Sequence, residues 1–175
     1  GVGLSPWPED FQVCGQEWKS RGKRMDEMIE IIRGIGRGGF FEYHGTYYDI
    51  PSIKVCPVPT QPIPILIGGH TEPALRRAAR LGEGWIPWQL EPGEFAALAA
   101  EARRLRDDGG RVGPFELVAP VTVAREASVA AVVTEVGRWR AAGATAFHVG
   151  LGAETFDDWL GRLEWFGREV ADRMA

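Results

Sequence analysis

The sequence predicts an α/β fold that is about half of a (β/α)8 barrel, and three observations predict it. Short apolar segments alternate with longer amphipathic ones, in four strand-helix units after an opening strand end. Every connection between successive strands is long enough for a parallel crossover. A complete (β/α)8 barrel takes about 250 residues, whereas the chain has 175. The chain therefore fits a single domain, residues 1–175, that is either a half-barrel or an open α/β sheet.

The chain opens on an apolar segment, followed by a predicted helix. Gly1–Leu4 runs straight into the turn residues Ser5, Pro6 and Pro8, as at the end of a strand, and we expect no signal peptide there. Residues 17–36 have helical periodicity, with one apolar face formed by Met25, Met28, Ile29, Ile32 and Ile35.

Residues 40–55 depart from the alternation. Aromatic and β-branched residues surround His44 and Gly45, which predicts a small inserted hairpin with strands at 40–43 and 46–50. Because this hairpin lies outside the strand-helix repeat, we interpret it as a lid. Prolines between residues 57 and 64 then hold the chain extended, because proline fixes its own φ and disfavours the α region before it.

The first complete unit is predicted as a strand at 65–67 and a helix at 71–81. The strand is wholly apolar, as in a parallel sheet covered on both faces, and Gly68 and Gly69 close it. Thr71 is a suitable N-cap and Pro73 suits the first helical turn.

Three further units repeat this pattern. Strands are predicted at 84–88, 115–124 and 146–151, and helices at 92–107, 128–142 and 155–174. In the closing helix Thr155 and Asp158 have the spacing of a capping box. Its predicted buried stripe consists of Phe156, Trp159, Leu160, Leu163, Phe166 and Val170.

Composition narrows the possible functions. The formal net charge is −4, without a basic stripe, so we expect no nucleic-acid partner. No apolar run reaches the length of about 18 residues that a membrane span needs. Cys14 and Cys56 form no Cys-x-x-Cys pair and have no histidine at ligand spacing, so we expect no metal site and no disulfide. A reduced cytoplasmic protein is the default expectation.

Several segments together carry a resemblance to a known family. They are QPIPILIGG at 61–69, ALRRAA at 74–79 and GWIP at 84–87, preceded by the opening GVG and the aromatic hairpin. The pattern resembles the bacterial luciferase-like monooxygenases, particularly the branch that uses the deazaflavin coenzyme F-420. The matching segments lie between residue 1 and about residue 88; beyond them only the order of elements agrees. Glu83 departs from the pattern, since the family usually has Asp before Gly-Trp.

This resemblance implies a TIM barrel whose cofactor lies at the carboxyl ends of the strands, with this chain as its C-terminal half. It implies an oxidoreductase or monooxygenase that transfers hydride to or from a small organic substrate. The implied cofactor is coenzyme F-420 or, alternatively, flavin mononucleotide (FMN), because both have a phosphate-bearing side chain. Four strands cannot close a barrel, so we expect a homo-oligomer or pairing with a missing N-terminal half.

The segment Gly68, Gly69, His70 and Thr71 is the strongest candidate site. Two glycines at a strand end allow an anion to approach the backbone, and the next helix presents free N–H groups and its positive dipole end. The resemblance assigns the cofactor phosphate to these four residues. A plain tight turn with Thr71 as N-cap is the structural alternative.

Other candidates are less specific. Trp85 is a candidate wall of the cofactor site, with core packing as the alternative, and Gly3 is a candidate for close approach of a cofactor ring. His44 is expected to be exposed in the hairpin. His148 is interpreted as structural, on either face of the last strand. The sequence identifies no catalytic base, and Arg77 lies near enough to the turn to be of interest.

Two alternative functions remain open at this point. A non-catalytic half-barrel would need a partner half. A phosphate-binding α/β module for another metabolite would use the same Gly68-Gly69 turn without a flavin.

Overall fold

The first third of the chain forms two helices and a hairpin in the computed structural model, which describes residues 1–174. The helices are α1 (Pro8–Val13) and α2 (Arg21–Gly36). The hairpin strands β1 (Phe41–His44) and β2 (Asp49–Ile53) pair antiparallel as a separate two-stranded sheet.

The rest of the chain alternates strictly between strand and helix. Four parallel strands lie side by side in chain order: β3 (Leu66–Gly68), β4 (Gly84–Ile86), β5 (Glu116–Val123) and β6 (Ala146–Leu151). The helices that follow them are α3 (Glu72–Leu81), α4 (Pro92–Asp108), α5 (Val129–Ala141) and α6 (Phe156–Trp165). This is the predicted α/β architecture, a partial (β/α)8 barrel.

The opening segment forms a single parallel bridge to β3, at the position where a strand end was predicted. The Val2 N–H donates to the Leu66 carbonyl over 2.8 Å, and the Gly68 N–H donates to the Val2 carbonyl over 2.7 Å. These two bonds fix Gly1 and Gly3 beside the carboxyl end of β3.

The sheet has two unlike faces. Its outer face packs against α3, α4 and α5, because alternate strand residues are large and apolar; this set comprises Ile67, Trp85, Leu117, Ala119, Val121 and Val123. We call the opposite face the inner face. Gly68, Ile86, Thr122 and His148 lie on it, and it is more exposed.

Three arginines converge at the amino end of β4. Arg33 and Arg106 donate to the carbonyls of Leu81 and Gly82, and Arg111 donates to that of Arg80, so their charges cap the carboxyl end of α3. Glu83 accepts from two of them, Arg33 and Arg111, and from the Ile65 N–H. Burial opposes ionisation of Glu83, but these donors together hold its pKa below the ordinary value.

Two predictions of helices need correction. Helix α2 begins at Arg21, not at residue 17, and the short helix α1 was not predicted. Pro8 was interpreted as a turn residue, whereas it occupies the first helical position, where its missing N–H costs nothing. The closing helix is regular only to Trp165 and continues as a π-helical turn over Phe166–Val170 and a 3-10 turn over Ala171–Met174.

The predicted buried stripe of the closing helix is wrong for its first half. Val170 is fully buried, but Phe156 is 71% exposed, and the other exposed members are Trp159, Leu160 and Leu163. The helix follows the last strand of the sheet, so no further strand-helix unit covers this face among residues 1–174.

Candidate functional site

The turn at Gly68–Thr71 joins the carboxyl end of β3 to the start of α3. Gly69 has a φ of +98°, a conformation that residues with a Cβ rarely adopt, and a Cβ there would lie 3.2 Å from the Ala74 Cβ. A glycine is therefore required for the chain to turn this sharply. His70 and Thr71 follow on the exposed side of the turn.

This turn presents unused hydrogen-bond donors. Thr71 is the N-cap of α3, and its carbonyl accepts from the Ala74 and Leu75 amides at 2.9 and 3.0 Å. Its hydroxyl makes no capping bond. Within the described part of the chain, the amides of His70, Thr71 and Glu72 donate to no protein acceptor. With the positive end of the helix dipole, they form a cradle suited to an anion such as phosphate.

Trp85 supports the cradle from behind instead of lining it. Its side chain is fully buried on the outer face, stacked on Phe95 with ring centroids 5.2 Å apart. Its indole N–H donates to the Gly69 carbonyl over 2.6 Å. In a trans peptide the C=O and the following N–H point in opposite directions. Holding the Gly69 carbonyl toward the core therefore turns the His70 N–H outward.

Glycines line the inner face next to the cradle. A Cβ on Gly68 would lie 3.5 Å from the Gly3 Cα, and a Cβ on Gly1 would lie 3.7 Å from a methyl group of Ile86. The two backbones thus pack closely, without intervening side chains. A flat ring is the kind of group that such a floor accommodates, with Ile86 as its apolar neighbour.

The charged residues of α3 are engaged elsewhere. Arg77 is largely buried and donates to the Gly22 carbonyl and to Asp26 of α2, so it fastens α3 to α2 and does not face the cradle. Glu72 stands at the first helical position, where a carboxylate would repel phosphate. Arg76 pairs with it over 2.7 Å and offsets that charge.

Two inner-face residues were not recognised from the sequence as site candidates. His148 was interpreted as structural, and Thr122 was not singled out. Both are exposed, on the face opposite the packed residues of their strands, Phe147, Val149 and Val121. The alternation of apolar and non-apolar positions in β6 is the sequence signal for this orientation, once the helices are known to cover a single face.

The hairpin is fastened to α2 by glutamates. The Glu27 carboxylate accepts from the amides of Thr46, Tyr47 and Tyr48 at 2.8 to 3.0 Å. Desolvation and the hydrogen bond to a second glutamate of α2, Glu30, raise the pKa of Tyr43 to about 12.

His44 is exposed, as expected, but it ends β1 instead of lying in the turn. It bonds to Asp49, and this bond raises its pKa.

A cleft lies at the opposite end of β3 from the cradle. It encloses about 870 Å³ between the end of α2 and the proline-rich segment 55–65, at the amino end of β3. Its lining is mainly aliphatic and proline side chains, with Arg33, Arg37 and Glu83 as the charged members.

Several kinds of site are not found in the described part of the chain. No group of three or more His, Cys, Asp or Glu residues among residues 1–174 is placed to hold a metal ion. Cys14 and Cys56 are free and exposed. No helix within these residues is long and apolar enough to cross a membrane.

Comparison with known proteins gives a consistent family assignment. The family model described as luciferase-like monooxygenase matches residues 1–172. An uncharacterised protein of Mycobacterium tuberculosis is 54% identical over 117 residues, which are 67% of this chain and 40% of that protein. The chain therefore spans less than half the length of this curated relative.

Two further similarities cover smaller shares of the known proteins. An F-420-dependent glucose-6-phosphate dehydrogenase of Amycolatopsis mediterranei is 32% identical over 89 residues, 49% of this chain and 27% of that enzyme. The solved structure of the EDTA monooxygenase of Chelativorans sp. BNC1 superposes with a TM-score of 0.51 and 19% identity, over 75% of this chain and 39% of that one. At this identity the likeness shows the fold alone.

Proposed function

The chain belongs to the luciferase-like monooxygenase family, and on that premise we propose that it forms the cofactor-binding part of a flavin- or deazaflavin-dependent oxidoreductase. One observation carries the proposal: the cradle at Gly68–Thr71 offers free backbone amides at a helix start, beside a glycine-lined floor. The named relative from Amycolatopsis supports the deazaflavin coenzyme F-420 as the preferred cofactor, with FMN as the alternative.

The residues present fit the phosphate-bearing side chain that both cofactors share. Phosphate oxygens would accept from the amides of His70, Thr71 and Glu72 and from the free Thr71 hydroxyl, and α3 would stabilise their charge through its dipole. Gly3 and Gly68 keep the adjacent surface flat. Trp85 positions the cradle without touching the phosphate.

In this proposal the protein positions the cofactor and the substrate, and the cofactor carries out the reaction. The bound cofactor supplies the hydride chemistry to or from a small organic substrate. The residues of this chain hold the phosphate, keep the floor beside it flat and apolar, and leave the inner face open for the second reactant. We assign no catalytic base, because no residue at the cradle has the geometry of one.

Fluorescence titration tests the cradle. The purified chain is titrated with coenzyme F-420 and with FMN, and the Gly69→Asp variant is compared with the original chain. The new carboxylate at Gly69 should repel phosphate and abolish saturable binding. Gly69→Ala is the matched control, since it introduces the same Cβ at a φ of +98° and 3.2 Å from the Ala74 Cβ, but no charge.

The outcomes separate the alternatives. Saturable binding that Gly69→Asp abolishes and Gly69→Ala retains supports the cradle. Equal loss in both variants means that the added Cβ and its backbone strain, not phosphate repulsion, are responsible. Binding of inorganic phosphate but of neither cofactor would favour a module for another phosphorylated metabolite, and no binding at all would favour a structural half-barrel.

We also propose that the chain acts together with further barrel strands, from a second copy or from a complementary N-terminal half. The exposed apolar side chains of α6 support this, together with a sheet of four strands and one strand end. A (β/α)8 barrel removes its sheet edges only when eight strands close.

A further inference from the structure

The inner face carries a polar pair away from the cradle. Thr122 lies one residue before the end of β5, and His148 lies on the neighbouring strand β6. The register pairs Thr122 with Gly150 and Pro120 with His148, so the two polar residues are diagonal neighbours on the same face. Neighbouring strands lie about 4.8 Å apart and two residues advance about 6.6 Å along a strand, so the two Cα atoms stand about 8 Å apart. One small group can be held between their side chains.

The space between the two side chains is open. Gly150 is the direct partner of Thr122, and a Cβ placed on it would meet nothing within 4 Å. Both Thr122 and His148 are exposed. No side-chain hydrogen bond among residues 1–174 involves either of them. The hydroxyl and the imidazole are therefore both available to donate to the same acceptor.

Three acidic residues on or after β5 and β6 are engaged by other groups. Glu116 is the acidic residue of β5, but it lies four positions before Pro120, about 13 Å along the strand, and accepts from Thr145 over 2.6 Å. Glu154 and Asp158 follow β6 and pair with Arg125 at 2.8 and 3.1 Å. An anionic oxygen between Thr122 and His148 would meet two donors, and Glu116, Glu154 and Asp158 are bonded elsewhere.

We propose that Thr122 and His148 form a subsite for a carboxylate group of the organic substrate. The inference rests on the proposed function, because it places the second reactant on the same inner face as the cofactor. It is distinct from the phosphate cradle, since β6 lies three strands from β3, about 14 Å at the usual strand spacing of about 4.8 Å. A carboxylate accepts from the Thr122 hydroxyl and the imidazole N–H at once.

The three histidines of the chain make the subsite directly observable. His70 reports on the cradle, His148 on the proposed subsite and His44 on neither. The imidazole C–H signals of the chain, carbon-13 labelled at histidine, are followed by NMR while sodium acetate is added at constant ionic strength. Acetone serves as a neutral carbonyl probe, and FMN and inorganic phosphate serve as cradle probes.

We expect acetate to shift the His148 signal saturably, without shifting that of His44, and acetone to leave His148 unchanged. Thr122→Val keeps the shape and removes the hydroxyl, and should weaken acetate binding about three- to tenfold, the loss of one hydrogen bond. Thr122→Ser should restore it. Unchanged His44 and His70 signals show that each variant is folded.

Three results would overturn the subsite: no acetate effect on His148, equal effects of acetate and acetone, or equal acetate binding by Thr122→Val. These results are separate from a failure of the cradle, which would appear as a His70 signal that neither FMN nor phosphate shifts.

Discussion

The indole of Trp85 makes a residue-scale prediction about the cradle. Trp85→Phe keeps an aromatic ring against Phe95 but removes the N–H that holds the Gly69 carbonyl. A lost buried hydrogen bond costs about 1 kcal/mol, so the midpoint of denaturant unfolding should fall. The cofactor affinity should also fall, by about three- to tenfold, because the His70 N–H is no longer held outward.

Trp139→Phe is the matched control for this change. Trp139 is also buried, and its indole N–H donates to Glu135 over 2.8 Å, away from the cradle. Both variants should lose similar stability, measured by denaturant unfolding, and only Trp85→Phe should bind cofactor more weakly. Equal cofactor affinity in the two variants would show that the bond to Gly69 plays no part in binding.

A second residue-scale prediction concerns pH. The hydrogen bond and charge of Asp49 raise the pKa of His44 above its ordinary value of 6.5. A raised histidine pKa means that the His44–Asp49 pair stabilises the hairpin below pH 6.5, and that this contribution is lost as the pH rises through the folded-state pKa. NMR titration of the His44 imidazole should give a pKa above 6.5 in the original chain and near 6.5 in Asp49→Asn. An unchanged pKa in the variant would remove Asp49 as the cause.

The sequence predicted the glycine turn that we propose as a cradle, but not its support by Trp85. Gly68–Thr71 could be predicted because glycines at a strand end before a helix N-cap form a local pattern. The Trp85 bond joins residues 16 positions apart, and periodicity contains no information on such pairs. The location of Thr122 and His148 on the inner face depends on which face of the sheet the helices cover. The sequence of a single strand does not reveal this.

The Glu83 carboxylate connects several helices and strands of the fold. Its carboxylate bonds to Arg33 of α2, to the Ile65 N–H before β3 and to Arg111 after α4. Glu83→Gln leaves the arginines without a counter-charge and should destabilise the fold by roughly 1 kcal/mol at neutral pH, a figure kept low because the side chain is 34% exposed.

The pH dependence of this loss follows from the lowered pKa of Glu83. A depressed carboxyl pKa contributes stability above the ordinary value of 4.5, and that contribution is lost as the pH falls through the folded-state pKa. Denaturant unfolding should therefore show a gap between Glu83→Gln and the original chain that closes in acid. Glu101→Gln, an exposed helical pair with Arg104, is the control and should cost less. A gap that persists unchanged in strong acid would argue against charge as the origin.

The Glu27 carboxylate makes a prediction about how the hairpin is held. Glu27→Ala removes the acceptor of three backbone amides in the turn, whereas Glu42 on β1 is exposed and accepts no such bonds among the described residues. Amide hydrogen exchange at Thr46–Tyr48 should accelerate about tenfold or more in Glu27→Ala. Exchange in β3–β6 should stay as before, and Glu42→Ala should change neither. Acceleration in the main sheet as well would mean that the hairpin is part of the same cooperative unit.

Helices and strands could be predicted where their hydrophobic periodicity was long or where specific residues marked their ends. The sequence predicted β6 at the residues where it lies, and the ends of α3 and α4 to within a residue, because glycine, proline and threonine mark these boundaries. Helix α1 was missed because its Pro8 is equally compatible with a turn. The irregular end after Trp165 has no composition signal distinct from a continued helix.

At the scale of the whole molecule, the main feature is that the sheet is open at both of its edges. At one end the segment around Val2 pairs with β3, and a cleft of about 870 Å³ lies at the amino end of the same strand. At the other end α6 presents aromatic and aliphatic side chains to solvent. Periodicity predicted the apolar face of α6 correctly but not its exposure, since burial depends on elements that lie beyond the final strand. Both ends are where the further barrel strands that we propose would pack.

We expect the exposed apolar face of α6 to mediate association between copies of the chain. Trp159 and Leu163 are 39% and 44% exposed, one turn apart on the same face. If this face mediates association, sedimentation of the purified chain should give a mass above the 19.3 kDa of one copy, rising with concentration. The double variant Trp159→Glu/Leu163→Glu should sediment as one copy, because burying two carboxylates in an apolar contact is strongly unfavourable.

Val112→Glu is the control, since Val112 is 93% exposed and lies away from α6, and it should associate like the original chain. Association that survives the double variant would place the contact elsewhere, and a chain that sediments as one copy at every concentration would contradict the second-copy form of the proposal.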